Sequence, residues 1–592
     1  MTRTERPQDS LIWLLAAPVL ANLLFPGEIH IWPQWLVAAV TLVLASLFAA
    51  VWVLRQNTDR FGIAAPPASF IILLVAAGIS GLFARIHFAR SRDMFLMLLV
   101  YALLYIAFRD SPLQSLRPIL WGVFSVSVCI AAYGLYQYFY LWTSLESAAK
   151  ALGSVSSSVG DAVRFRLETK RIMSVFALPT TLCDFLAMTF PINIALLISS
   201  ARKPIRLLVI SCLLAINMWA LLLTRSFTGF LSLVFCAGAF YFAGRSGFRV
   251  LKKKWLTASI LLAFFAAAFF YLLYVRKIIF VEVIRENPLA LRMINWRIGI
   301  EAGLDHPIIG VGPDNYQTVY TQYMRAGEPQ ARHAHSAPIE IFAETGIVGG
   351  VAFLLLLFRW LARAWRILRR SDEESWENKG LALSFLALFF QNLLDIGIYL
   401  PSLGCLSFML IGLLDRPLVS VDDLAASRNP KPPLTPLWRW SLATILLGLG
   451  VGSALLCRRL LLAKIDYRES LDLYSEGRIE EAEQNAVSSI RRDPLSYPAY
   501  EILASQWLSS PKNNAKAIGD ARSLYLRALM LSPYTASLHR GMSYACVARG
   551  ELFQAYRHAL RAAELYPADQ SAAARRDELF AALTASAGKS QL

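Results

Sequence analysis

Between Leu11 and Leu456 the chain returns repeatedly to apolar runs, many of them close to the ~20 residues that a hydrocarbon core demands. Inside lipid no water is at hand to bond the backbone, so each run must satisfy its own N–H and C=O groups, and a helix does so. The expected fold is therefore all-α, a polytopic helical membrane bundle of about 12–13 spans. Composition agrees, since only 17% of the residues are charged against about 25% in soluble domains.

Loop charge orients the bundle. Short basic loops face the cytoplasm, and with the N-terminus inside, the loops at 201–206, 245–254 and 363–370 do so. The same orientation leaves 86–93, 143–172 and the long stretch 276–345 in the periplasm. Met1 to Ser10 carries both signs of charge and leads directly into further spans, so the first span is read as retained rather than as a cleaved signal. The net charge of +17 then belongs to cytoplasmic loops, and no nucleic-acid module accompanies it. Five of the seven cysteines lie inside apolar runs and none forms a CxxC, so neither a disulfide framework nor a metal site is expected.

Past the last span the composition changes. Three segments share a layout: Gly477-Arg478-Ile479-Glu480-Glu481-Ala482 leading to Pro494, Asp520-Ala521-Arg522 leading to Pro533, and Gly550-Glu551-Leu552-Phe553-Gln554-Ala555 leading to Pro567. The last two prolines are spaced by the tetratricopeptide period of about 34 residues. Residues 1–457 are accordingly assigned to the membrane domain, with a large periplasmic loop at 276–345, and 458–592 to a tetratricopeptide-like helical domain.

The long loop holds most of the chemistry-bearing side chains, as long ordered loops that bind or close over ligands commonly do. In order they are Arg292-Met293-Ile294-Asn295-Trp296-Arg297, His306-Pro307-Ile308-Ile309-Gly310-Val311-Gly312, His333-Ala334-His335-Ser336 and Glu344-Thr345-Gly346. Two shorter pieces lie upstream, Lys170-Arg171-Ile172-Met173 and Thr224-Arg225-Ser226-Phe227-Thr228-Gly229. This set resembles the core of the O-antigen ligase and polymerase family, with one departure: Ser336 stands where that family usually has Asn. The resemblance implies a GT-C-like membrane bundle that moves an oligo- or polysaccharide from a polyprenyl diphosphate to an acceptor hydroxyl, with no cofactor and no metal.

Residue chemistry fits that implication. The planar, permanently charged guanidinium of arginine bonds phosphate oxygens in pairs, which makes Arg225, Arg292 and Arg297 the expected diphosphate ligands. A histidine titrating near neutrality suits removal of the acceptor proton; His335 is the expected catalytic base, with His333 and Ser336 as possible acceptor contacts. Expected partners are the lipid-linked glycan, membrane lipids, an acceptor glycolipid, glycan or protein, and a protein partner at the repeats. The alternatives are a protein O-oligosaccharyltransferase on the same scaffold, or, in other classes, a lipid-linked glycan transporter or an inert membrane scaffold. A transporter would carry its ionisable groups at mid-membrane and repeat its spans, and neither feature is evident.

Overall fold

The computed structural model describes residues 7–26, 32–54, 66–84, 86–111, 115–144, 170–200, 204–243, 288–370, 375–416, 436–509 and 515–589. Among them all regular structure is helical. The helices are α1 (Pro7–Leu24), α2 (Trp32–Leu54), α3 (Ala68–Phe83), α4 (Phe88–Arg109), α5 (Leu116–Tyr136), α6 (Pro179–Ser199), α7 (Pro204–Leu223) and α8 (Phe227–Ala243). There follow α9 (Pro288–Asp305), α10 (Tyr316–Tyr320), α11 (Ala337–Arg369), α12 (Trp376–Leu394), α13 (Pro401–Leu414) and α14 (Pro436–Ser475). The chain finishes with α15 (Ile479–Arg492), α16 (Tyr497–Ser509), α17 (Ala515–Leu531), α18 (Ala536–Ala548), α19 (Leu552–Leu565) and α20 (Gln570–Lys589).

Among the described residues six helices are long and apolar enough to cross a membrane, the shortest having 20 residues, and five shorter apolar helices accompany them. The protein is a multi-pass membrane protein. The span expected at 256–275, the basic loop at 245–254 and most of 143–172 lie outside the described residues. The apolar stretch around Tyr399 is broken: α12 stops at Leu394, a turn and a single 3-10 turn at Gly397–Tyr399 intervene, and Pro401 opens α13.

The chain divides into two compact units. The first gathers Met1–Pro66, Val100–Val281 and Leu356–Gly452. Its centre is α6, packed by α5, α7, α8 and α12, and buried along most of its length. Gly229 permits this, because a Cβ there would collide with the Cys183 thiol of α6. At the end of α5 the helix widens into a π turn, Gln137–Leu141, which aims the buried Gln137 amide at the segment after residue 170. Its Oε1 accepts from the backbone N–H groups of Met173 (3.0 Å) and Ser174 (2.9 Å).

The second unit gathers Pro67–Leu99, Glu282–Leu355 and Ser453–Leu592. Its C-terminal part is a row of helices, α15 to α20, each packed on the next. Alanines at the crossings (Ala504, Ala521, Ala528, Ala545, Ala555, Ala559) let the axes approach closely around Tyr525 and Met542. No linker separates the last span from this row. The apolar helix α14 runs through the expected boundary at residue 457 without a break.

Candidate active site

The site is assembled in the second unit, where the expected loop proves to be largely helical. Its framework is a kink in α11. Gly346 has φ 67° and ψ −168°, a conformation open only to glycine, and a Cβ there would strike the Ile308 carbonyl. The kink frees two carbonyls, and both are satisfied. Ala343 O accepts from Val311 N–H at 2.9 Å, and Glu344 O accepts from Gly312 N–H at 2.9 Å and from the Ser80 hydroxyl at 2.6 Å. In exchange Ile347 N–H donates to Pro307 O at 2.8 Å. Gly310 and Gly312, at φ 76° and 92°, supply the tight turn.

Helix α9 packs on this framework through Asn295, Ile298, Gly299 and Ala302, all buried. Asn295 ties it to α10: its backbone carbonyl accepts from the Tyr316 hydroxyl (2.7 Å) and its side-chain oxygen from the Tyr320 hydroxyl (2.8 Å). Burial pushes the Tyr320 phenol up to about 12 and raises Tyr316 as well, so both remain protonated donors.

The two histidines sit where the chain turns into α11. His333 is buried and its Nδ1 lies 2.7 Å from Glu340 Oε1; the other oxygen of that carboxylate accepts the Ala334 N–H at 2.8 Å. Glu340 is wholly buried in the first turn of α11, where the helix dipole favours a negative charge. His335 is half-buried and held at φ 52°, and its carbonyl accepts from the Trp296 indole N–H at 3.3 Å. Ser336 is buried, and its carbonyl accepts from Glu340 N–H at 3.0 Å. Sequence reasoning missed Glu340 and Asn295, the two polar residues that fix this turn and its supporting helix.

The arginines separate. Arg292 stands one turn before Trp296 on the same side of α9, the side that reaches the His335 turn. Arg297, five residues on at about 100° per residue, points roughly 140° away. It is engaged by Glu301 at 2.8 Å and by Glu328 at 2.8 and 3.0 Å. Arg292 and Arg297 thus leave α9 on different sides, and Arg297 folds the 323–328 turn. Arg225 belongs to the first unit, in the turn between α7 and α8 at φ 48°. The two upstream motifs meet there: Arg171 Nε donates to Thr224 O at 2.8 Å. Among the described residues no group of three or more His, Cys, Asp or Glu could hold a metal ion.

The C-terminal helices meet this assembly through the three turns that carry the repeat prolines. Beside Pro494, Asp493 receives two 2.8 Å bonds from Arg92. Beside Pro533, the Ser532 hydroxyl donates to Ile86 O at 3.0 Å. Two residues before Pro567, the Leu565 carbonyl accepts from Thr321 Oγ1 at 2.9 Å. His87, buried against Tyr497, is lowered to about 3, chiefly by burial and then by Arg90, Lys464 and Arg92.

Residues 208–354 match the family described as O-antigen ligase. The matched stretch contains Arg225, Arg292, Arg297, His333, His335, Ser336 and Glu340 and ends before the C-terminal helices. It supports a membrane glycan ligase or polymerase role. No curated protein matches the chain.

Proposed function

We propose that this chain is a glycosyl-transfer enzyme that moves an oligo- or polysaccharide from a polyprenyl diphosphate to an acceptor hydroxyl at the periplasmic face of the bacterial inner membrane. One observation carries the reading: a half-buried His335 is set on a left-handed turn that Glu340 holds through His333 and Ala334 and Trp296 holds through the His335 carbonyl, with Arg292 on the same side of α9 as Trp296. A loop histidine with only a structural role needs no such brace.

In this reading the acceptor oxygen attacks the anomeric carbon of the donor while His335 takes its proton. The bond from that carbon to the phosphate oxygen breaks, and the lipid diphosphate leaves with the electron pair. Arg292 offsets the charge that develops on it. A single displacement of this kind inverts the anomeric carbon. His333, with Nδ1 tied to Glu340, positions the turn and is read as an acceptor contact. The six C-terminal helices are read as tetratricopeptide-like repeats. Their bonds to Ile86, Arg92 and Thr321 support placing them on the same side of the membrane as the His335 turn.

The test is transfer of a radiolabelled glycan from its native polyprenyl diphosphate by purified full-length protein, with and without chelator. The expected result is full activity in chelator and loss of transfer in folded His335→Ala and Arg292→Ala. Equal rates in all three proteins would remove the assignment, and whichever molecule becomes labelled identifies the acceptor.

A further inference from the structure

A cavity of about 250 Å³ opens in the second unit between the repeat turns and the segment from Gln317 to Gln330. Arg292, His333 and His335 do not line it. We propose that it is a saccharide-binding site, which holds one or a few sugar residues of the glycan apart from the bond being made.

The lining selects the ligand. Tyr497, Tyr534 and Tyr566 all line it, each within three residues of one of the repeat prolines, so the spacing of the turns brings three phenols to one cavity. Phenol rings offer flat apolar faces to the C–H face of a sugar ring and a hydroxyl at the rim. Around them stand Gln317, Thr535 and Ser537, which give and accept hydrogen bonds as sugar hydroxyls require. Of the charged groups in the lining, Arg540 is matched by Asp569 at 3.2 Å, while Arg90 hydrogen-bonds a neutral amide, donating to Gln317 Oε1 at 2.9 Å. A diphosphate needs several converging cations, and here Asp569 opposes Arg540 and leaves Arg90 as a single guanidinium already bonded to Gln317; a lipid tail would desolvate these polar groups without replacing their bonds. A neutral polyhydroxylated ligand suffers neither cost. The volume lies below the ~300–1,000 Å³ of drug-sized sites, which sets the occupant at the scale of a few sugar rings at most.

The identity of the glycan rests on the transfer reading above, whereas the site itself does not. The test titrates detergent-purified full-length protein with two probes, by calorimetry and saturation-transfer NMR. One is the oligosaccharide freed by mild acid from the cell's own lipid-linked donor; the other is the deacylated core oligosaccharide of the same cells. Binding of the first identifies a donor site and of the second an acceptor site. Tyr534→Ala and Gln317→Ala are expected to weaken binding about tenfold, with Tyr534→Phe intermediate and far-UV melts unchanged. His335→Ala is expected to bind as wild type does while losing transfer. Absence of binding by both probes, wild-type affinity in both Tyr534→Ala and Gln317→Ala, or loss of binding in His335→Ala would overturn the proposal. Binding by a wild-type protein that transfers nothing would overturn the transfer reading and leave the site standing.

Discussion

Glu340 is the most informative single residue to change. Its carboxylate, fully buried, receives the His333 ring at 2.7 Å and the Ala334 N–H at 2.8 Å. Hydrogen bonds to a charged acceptor contribute about 1.5–3 kcal/mol each. Glu340→Ala removes both and strands two buried donors, an expected loss of about 3–6 kcal/mol, reduced wherever water enters the space left behind. Glu340→Gln keeps one acceptor oxygen but turns an NH2 toward the second donor, so about half that loss is expected. Both variants release the turn that fixes His335, and a misplacement of about 1 Å costs a reaction roughly 100-fold in rate. The assay is single-turnover transfer at saturating donor alongside thermal unfolding. Glu340→Gln is expected to lower kcat about 100-fold with donor KM little changed, because Arg292 is carried by α9. The pair His333→Ala and Glu340→Ala should be less damaging together than their sum, since the double variant strands only one donor. A Glu340→Gln protein with wild-type kcat, or strict additivity in the double variant, would refute the brace.

Three further outcomes follow from the geometry. Gly346→Ala forces a Cβ into the Ile308 carbonyl at φ 67°, so it should lower stability by about 1–3 kcal/mol or more and abolish transfer, whereas Gly327→Ala, at φ 84° in open space, should cost only the backbone strain; thermal melts of the two compare them directly. Arg92→Ala leaves Asp493 buried without its guanidinium, and breaking such a pair costs up to about 3–5 kcal/mol; hydrogen exchange should rise first around Ser489 to Tyr497, and restoring protection with Asp493→Ala would show that the stranded charge was the cause. His87 is lowered to about 3 from 6.5, so its neutral form is the one the fold accommodates: stability is full above pH 6.5 and falls as pH drops from there toward 3, with a slope of up to about 1.4 kcal/mol per pH unit; Tm profiles of wild type and His87→Phe should diverge over that window and coincide above it.

The membrane bundle was legible because lipid imposes one rule on every span, and apolar length reports it directly. The turns at Pro494, Pro533 and Pro567 between the C-terminal helices were legible because the prolines recur. What the sequence could not give is where distant segments meet, and the clearest case is Asp493: nothing local distinguishes it from any acidic residue before a proline, yet it takes both arms of Arg92, 401 positions away. Glu340 was closer to reach. Ser336-Ala337-Pro338 is a helix start, and an acidic residue in the following turn is where a helix welcomes one.

The helix inside the long loop was hidden for a different reason, and it bears on the arginines. Helix α9 hides its apolar stripe, because the buried positions Asn295, Ile298, Gly299, Ala302 and Gly303 follow the helical spacing but are mostly small or polar. Small residues are what let α9 approach its neighbours: a Cβ on Gly299 would meet Ile339, and one on Gly303 would meet Phe342, both in α11. Hydropathy scores such a stripe as loop. Once it is recognised as a helix face, the fate of Arg297 follows from arithmetic alone. Arg292 and Arg297 are five residues apart and cannot address the same phosphate from one helix, while Arg297 and Glu301 are four apart and meet. The observed ion pair is the consequence, and it leaves Arg292 as the guanidinium that α9 carries on its Trp296 side, toward the His335 turn.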